Sequence, residues 1–274
     1  MTDGQHPQKA VILARGLGTR MRTGDPSAQL EADQAAVADS GVKGLIPVGR
    51  PFLDYVIAAL ADAGCTDVCI VLAPGPSELR DRYTRHAVPD RVKVHFAVQE
   101  QPLGTADAVL AVEAFAGNDP FMVVNSDNYY PVDVLRGLRQ APLPALPGFD
   151  REALLSDGDI PPERIASFAL LETDGSGALT RIVEKPDADR LAAMDGAAMV
   201  SMNCWAFTAT ILDACRSIGP SPRGELELPD AVQLLVDRGE RFTVLPVSAR
   251  VLDLSRRSDI PRVRERLAGL EVLL

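Results

Sequence analysis

The residues that could do chemistry begin at positions 15–22, R-G-L-G-T-R-M-R, which place two glycines, a threonine and three arginines directly behind the apolar run Lys9–Ala14. A buried strand opening into such a loop is a phosphate site by physics. Gly16 and Gly18 let the backbone approach a ligand and turn its N–H groups toward it. Arg20 adds a planar cation that grips phosphate oxygens at two points. Two common phosphate motifs are excluded: no G-x-x-x-x-G-K-[ST] run occurs, and Met21 stands where G-x-G-x-x-G needs its third glycine. A second strand end carries an acid. Phe121–Val124 is an apolar run that delivers Asn125-Ser126-Asp127-Asn128, and Asp127 at such a tip is either a hard-metal ligand or the start of an Asx turn.

The elements that must hold these residues follow from periodicity. Leu53, Val56, Ile57 and Leu60 fall at helical spacing over 52–64, and Gly64 closes that helix. Val68–Ala73 reads as a strand buried on both faces, Glu78–Arg85 as a polar helix, and the alternation of Val92, Val94, Phe96 and Val98 as another strand. Strand and helix in alternation imply a mostly parallel sheet, with a ligand site outside the C-terminal ends of its strands. The acidic stretch 23–42 is expected to hold a short helix over 27–39, either a solvated surface helix or a lid beside the loop. Pro142–Pro162 reads as loop with a short helix, and Asp174-Gly-Ser-Gly as a hairpin between strands 167–172 and 179–183.

The whole chain has 274 residues, 46% of them hydrophobic and 24% charged, which suits a globular protein with a large core. Its net charge of -10 disfavours a non-specific nucleic-acid binder and requires local cations or metal ions wherever phosphate is handled. No apolar stretch long enough to span a bilayer occurs, and the polar N-terminus has no signal-peptide core, so a cytoplasmic protein with no membrane partner is expected. Cys65, Cys69, Cys204 and Cys215 sit in apolar runs and read as reduced core residues; His6, His86 and His95 are scattered and read as non-catalytic.

The loop G-L-G-T-R-M resembles the signature of the sugar-1-phosphate nucleotidyltransferases, and further motifs match that family in order over about residues 9 to 260. Lys43-Gly-Leu-Ile-Pro47 is similar to its K-x-x-x-P segment, Gln99 to Gly104 to its base-reading loop, Ser126-Asp127-Asn128 to its metal-binding S-D-N, and Glu184-Lys185-Pro186 to its E-K-P. Met202 to Phe207 resembles its N-x-G/W-x-Y/F strand, Gly224 to Asp230 its G-E-x-E-L-x-D segment, and Val251 to Ser255 its W-x-D-x-G, with the tryptophan absent and serine in place of glycine. Arg15 stands where the family has a small residue beside the nucleotide, and 23–42 looks like a local insertion.

The resemblance implies a doubly wound, mostly parallel Rossmann-like α/β sheet of the GT-A-like nucleotidyltransferase kind, with a smaller mixed sugar-binding subdomain. It implies one domain over 1–274: a nucleotide-binding core at about 9–135, a sugar side at about 136–247 and a closing helix at about 258–270. It implies that Leu13, Gly16, Gly18, Thr19, Gln99, Gly104 and Thr105 bind nucleotide, that Asp127 and Asp253 hold Mg²⁺, and that Arg20, Lys43 and Lys185 are catalytic. Asn128, Glu184, Lys185 and Asn203 would hold the sugar phosphate, and Thr105 also reads as a helix N-cap. A carboxamide offers both donor and acceptor to a base edge, which suits Gln99. The implied reaction joins an NTP and a sugar 1-phosphate into an NDP-sugar and pyrophosphate, in a homo-oligomer. Base and sugar stay open. So do a cyclitol-like acceptor, motivated by Pro142–Pro162, and a regulatory nucleotide-sugar-binding homologue, motivated by Arg15 and the altered Asp253 segment.

Overall fold

A computed structural model describes residues 6–26, 28–155, 160–165, 167–184, 186 and 199–274. Lys9–Leu13 is strand β1, Asp67–Leu72 β2, Lys93–Val98 β3 and Phe121–Asn125 β4. All four run parallel, in the order β3-β2-β1-β4. Strict alternation along them feeds two cores. Ala10, Ile12, Val68, Ile70, Met122 and Val124 pack on one face with helix Phe52–Asp62. Val11, Cys69, Val71, Phe121 and Val123 pack on the other with helix Thr105–Leu110. Side chains on successive strand residues point to opposite faces, so a strand apolar at every position must be covered on both. That is the double winding expected.

Past β4 the sheet changes character without ending. Asn128–Tyr129 (β5) leaves it, and Ala145–Asp150 (β6), Ala169–Thr173 (β7), Leu179–Val183 (β8), Met199–Ser201 (β9), Trp205–Phe207 (β10) and Thr243–Val247 (β11) extend it. Among the described residues the sheet has ten strands, in the order β3-β2-β1-β4-β10-β6-β9-β7-β8, with β11 parallel to β6. The mixed part is therefore hydrogen-bonded to the parallel part across β4 and β10 rather than forming a sheet of its own.

Four local expectations change. Pro142–Pro162 is not mainly loop: it contains β6, pairing with β9, β10 and β11. Pro147 and Gly148 hide it in the sequence, and Gly148 is required because a Cβ there would lie 2.6 Å from Met199 Sδ and 2.8 Å from Val244 Cγ1. The strand expected over 202–207 is broken by Asn203 at φ 55°, which separates β9 from β10. The helix in the inserted stretch spans Ala32–Ser40, capped by Gly41 at φ 77°. The closing helix runs Ile260–Leu267. Just before it, Leu252–Asp253 (β12) pairs antiparallel with β5, setting Asp253 opposite Asn128.

Candidate active site

The strand ends β1, β2, β3 and β4 open into one cavity of about 760 Å³. Eight of the expected residues line it: Leu13, Gly16, Gly18, Lys43, Gln99, Gly104, Thr105 and Asp127. They come from six places in the sequence, and the parallel topology alone brings them together.

The glycine loop is shaped by the insertion. Gly18 has φ 64°, and a Cβ on it would overlap the carbonyl oxygen of Gly41. Arg22 donates to the Ser40 carbonyl from Nε (3.1 Å) and Nη2 (2.8 Å), clamping the same junction. Ser40, Gly41 and Val42 thereby form part of the cavity wall, so the inserted stretch belongs to the site and is not merely a solvated surface helix.

Across the cavity, Gln99 Nε2 donates to the Gly104 carbonyl (3.0 Å) and to Asp107 Oδ2 (2.8 Å). Both amide hydrogens are thus engaged, and Oε1 is the atom left to accept from a ligand. Gly104, at φ 122°, lies against the backbone of Leu226, where a Cβ would overlap the carbonyl oxygen. Thr105 is not the N-cap of its own helix, whose N-cap is Gly104. Its Oγ1 instead accepts from Leu228 N (2.9 Å), tying in the first residue of helix Leu228–Asp237. Arg15 spans the two loops, with Nε donating to the Gln99 carbonyl at 3.3 Å. Its buried Nη1 has no hydrogen-bond partner among the described residues.

Of the two expected acids, Asp127 lines the cavity and Asp253 lies near it without lining the cavity. Lys43 Nζ lies 2.7 Å from Asp127 Oδ2, and Leu254 N donates to the Asp127 carbonyl at 2.8 Å. Asp253 is almost wholly buried; Ser255 Oγ donates to its Oδ1 (2.8 Å) and Arg164 Nη1 to its Oδ2 (2.8 Å). Burial, and next the nearby Asp127 carboxylate, hold the Asp253 carboxyl above its ordinary range. A divalent cation shared by Asp127 and Asp253 would offset that repulsion, so the donor set fits one. Among the described residues no group of three or more His, Cys, Asp and Glu side chains could hold a metal. Two carboxylates suit Mg²⁺, which keeps waters and takes its other ligands from substrate phosphates.

Other expected residues fall elsewhere. Thr19 and Arg20 are exposed on the short helix Thr19–Arg22, where the neighbouring Met21 is driven into the core. Arg20 borders a second cavity instead, together with Arg164, Arg256 and Arg262. Asn128 is buried behind Asp127, its Nδ2 3.5 Å from Asp253 Oδ1. Asn203 is only partly buried, and its carbonyl accepts from the Tyr130 hydroxyl at 3.3 Å. Lys185 lies outside the described residues. Glu184 faces Arg223 at 3.6 Å, and burial, then Glu227, push its carboxyl up to about 7. Arg223 and Arg164 are the residues that sequence reasoning missed. Arg223 immediately precedes the G-E-x-E-L stretch, whereas nothing in the sequence around Arg164 marks it.

A doubly wound sheet with a phosphate loop, a carboxamide and an acid at its strand ends defines a nucleotide-binding transferase of the α/β kind. The family model described as nucleotidyl transferase matches residues 9–249, and the chain belongs to that family. It is 33% identical over 244 residues to a glucose-1-phosphate thymidylyltransferase of Streptomyces griseus, covering 86% of this chain and 60% of that one. It is 25% identical over 264 residues to the UTP–glucose-1-phosphate uridylyltransferase AglF of Haloferax volcanii, covering 94% of this chain and 96% of that one. The chain spans about three fifths of the length of several curated relatives it matches. Among solved structures, a UDP-glucose pyrophosphorylase from Acinetobacter baumanii superposes with a TM-score of 0.73 at 19% identity, covering 97% of this chain and 95% of that one, which shows the shared fold.

Proposed function

We propose that the protein joins a nucleoside triphosphate to a sugar 1-phosphate, giving an NDP-sugar and pyrophosphate. The observation that carries this reading is the single cavity that gathers the Gly16–Gly18 loop, Lys43, Gln99 and Asp127 at parallel strand ends. An oxygen of the sugar phosphate attacks the α-phosphorus in line, and pyrophosphate leaves. A phosphate monoester is already a competent nucleophile, so the protein's task is placement and charge neutralisation. Loop N–H groups and Lys43 hold the triphosphate. Lys185, with Glu184 beside it, places the acceptor. Mg²⁺ held by Asp127 and Asp253 would supply further charge neutralisation at the phosphate oxygens.

The base is read by an acceptor. Gln99 presents Oε1, which accepts from a base N–H donor, and the imide N–H of uracil and thymine is one such donor. The relatives named for UTP and for thymidylyl transfer favour these two. The stretch that prompted the cyclitol alternative contains the sheet strand Ala145–Asp150, and the acceptor panel below tests that alternative.

A binding-only reading has one observation in its favour: Lys43 and Arg164 already occupy Asp127 and Asp253. The test is pyrophosphate release with Mg²⁺ over UTP, dTTP, ATP, CTP and GTP against several sugar 1-phosphates and an inositol phosphate. Turnover with UTP or dTTP and a hexose 1-phosphate is expected. Nucleotide binding with no release at any combination selects the binding-only reading.

A further inference from the structure

We propose that the arginine-lined cavity beside Asp253 is a second anion site, one that takes a small phosphate-class oxyanion and is separate from the nucleotide cavity. It encloses about 370 Å³, within the ordinary size of a small-ligand pocket. Among the described residues its lining carries Arg20, Arg164, Arg256 and Arg262 against the single acid Asp259.

The charges do not balance. Arg164 is spent on two buried carboxylates, donating to Asp253 Oδ2 (2.8 Å) and to Asp259 from Nη1 and Nη2 (3.1 Å each). Arg262 Nη2 donates to the same Asp259 at 3.3 Å. Asp253 and Asp259 thus offset Arg164 and Arg262. Arg20 and Arg256 are left over, both exposed, and neither has a carboxylate partner among the described residues. Two uncompensated guanidinium groups bordering one cavity repel each other. This occurs in a chain whose acids outnumber its bases 38 to 28. Guanidinium groups grip tetrahedral oxyanions with paired N–H donors, and an anion between them converts that repulsion into attraction.

The lining also limits the ligand. Among the described residues its one apolar residue is Pro161 and no aromatic ring lines it to take a base; Ser167 and Ser258 add hydroxyls. The ligand is therefore a phosphate, a pyrophosphate or the phosphate of a monoester, and not a nucleobase. Arg164 links this cavity to Asp253, whose carboxyl feels that of Asp127 in the nucleotide cavity, because the guanidinium that borders this one is hydrogen-bonded to Asp253. An anion that draws on Arg164 loosens its hold on Asp253, and the coupling runs equally in reverse. Only this coupling rests on the metal-binding reading of Asp253; the anion site itself does not.

The test is a binding measurement without turnover. Orthophosphate, pyrophosphate and glucose 1-phosphate are each titrated into the full chain by calorimetry, at constant ionic strength, without divalent cation and with UTP saturating the nucleotide cavity. At least one of the three should bind. Arg256→Ser, which removes an exposed side chain, should weaken it about tenfold, the loss expected for one charge-assisted contact. Arg262→Gln should weaken it similarly, with UTP affinity within about twofold of wild type in both variants. The anion that meets these conditions identifies the source. Binding unchanged in both variants, or no binding of any of the three beside UTP, overturns the proposal. Failure of the transferase assay would leave these titrations unaffected.

Discussion

Three side chains show how far a residue's surroundings decide its part. Asp127 is a carboxylate open to the cavity, as Glu78 and Glu225 are, and is the one held by Lys43 and placed by the tip of β4. Asp127→Ala should lower turnover by about 10²–10³-fold or more, the scale of losing a centre of transition-state charge stabilisation, with an unchanged melting temperature. Pyrophosphate release and calorimetry on one preparation check both parts, and near-normal turnover would remove Asp127 from the site. Glu184 is governed by burial and by Glu227, which raise its carboxyl to about 7. A group raised in the folded state contributes its stability below its unfolded value and loses it as pH rises through the folded one. The protein should therefore lose stability between about pH 4.5 and 7 through Glu184. Glu184→Gln should recover about 1 kcal/mol at pH 8, some 2–4 °C in melting temperature, and nothing at pH 4. An equal shift at both pH values would show that charge is not the cause. Arg15 has a buried Nη1 without a partner at the mouth of the base loop. Arg15→Gly should raise the KM for nucleotide about tenfold, as for one lost charge-assisted contact, with little change in the KM for sugar phosphate.

At the scale of elements, the parallel half was legible because β1, β2 and β4 are near-continuous apolar runs, β3 alternates, and the helix Phe52–Asp62 carries clean periodicity. The other half was obscured wherever a local rule was overridden by packing. β6 contains Pro147 and Gly148 yet pairs on both sides, because a close approach to Met199 and Val244 demands glycine. One strand became two at Asn203, where the backbone turns left-handed. Site residues on the glycine loop, β3 and β4 could be read as motifs, since each lies at one strand end. Arg164 could not, because its importance comes only from the fold, which sets it on Asp253 and Asp259 from 89 and 95 residues away. The junction of the inserted stretch with the loop gives a direct test. Gly18→Ala places a Cβ into Gly41 at a left-handed backbone position and should cost about 1–3 kcal/mol. It should also raise the nucleotide KM, because the same junction walls the cavity. Gly16→Ala, with nothing within 4 Å of its Cβ, is the control and should melt like wild type. Equal melting of the two variants would mean that the insertion does not brace the loop.

Over the whole molecule, a chain of net charge -10 has been arranged to receive a polyanion. The sequence announced the conflict, and the fold meets it by position: Arg15, Arg22 and Lys43 line one cavity opposite the acids Glu78, Asp127 and Glu225, and Arg20, Arg164, Arg256 and Arg262 border the other. The two scales of field act oppositely on an approaching nucleotide. The distant acids repel it over tens of ångströms, whereas the local cations attract it only once it has entered. Salt separates them, because the screening length falls from about 30 Å at 0.01 M to about 8 Å at 0.15 M ionic strength. Screening over that range removes long-range repulsion while leaving contacts inside the cavity largely intact. The association rate of a fluorescent nucleotide, followed by stopped flow, should therefore rise about twofold between these two salt concentrations, against the usual fall for an attractive site. A tenfold drop instead would mean that the cavity cations project beyond the acidic surface and steer the nucleotide in, and the fold would then have reversed the sign of the field at its active face as well as inside it.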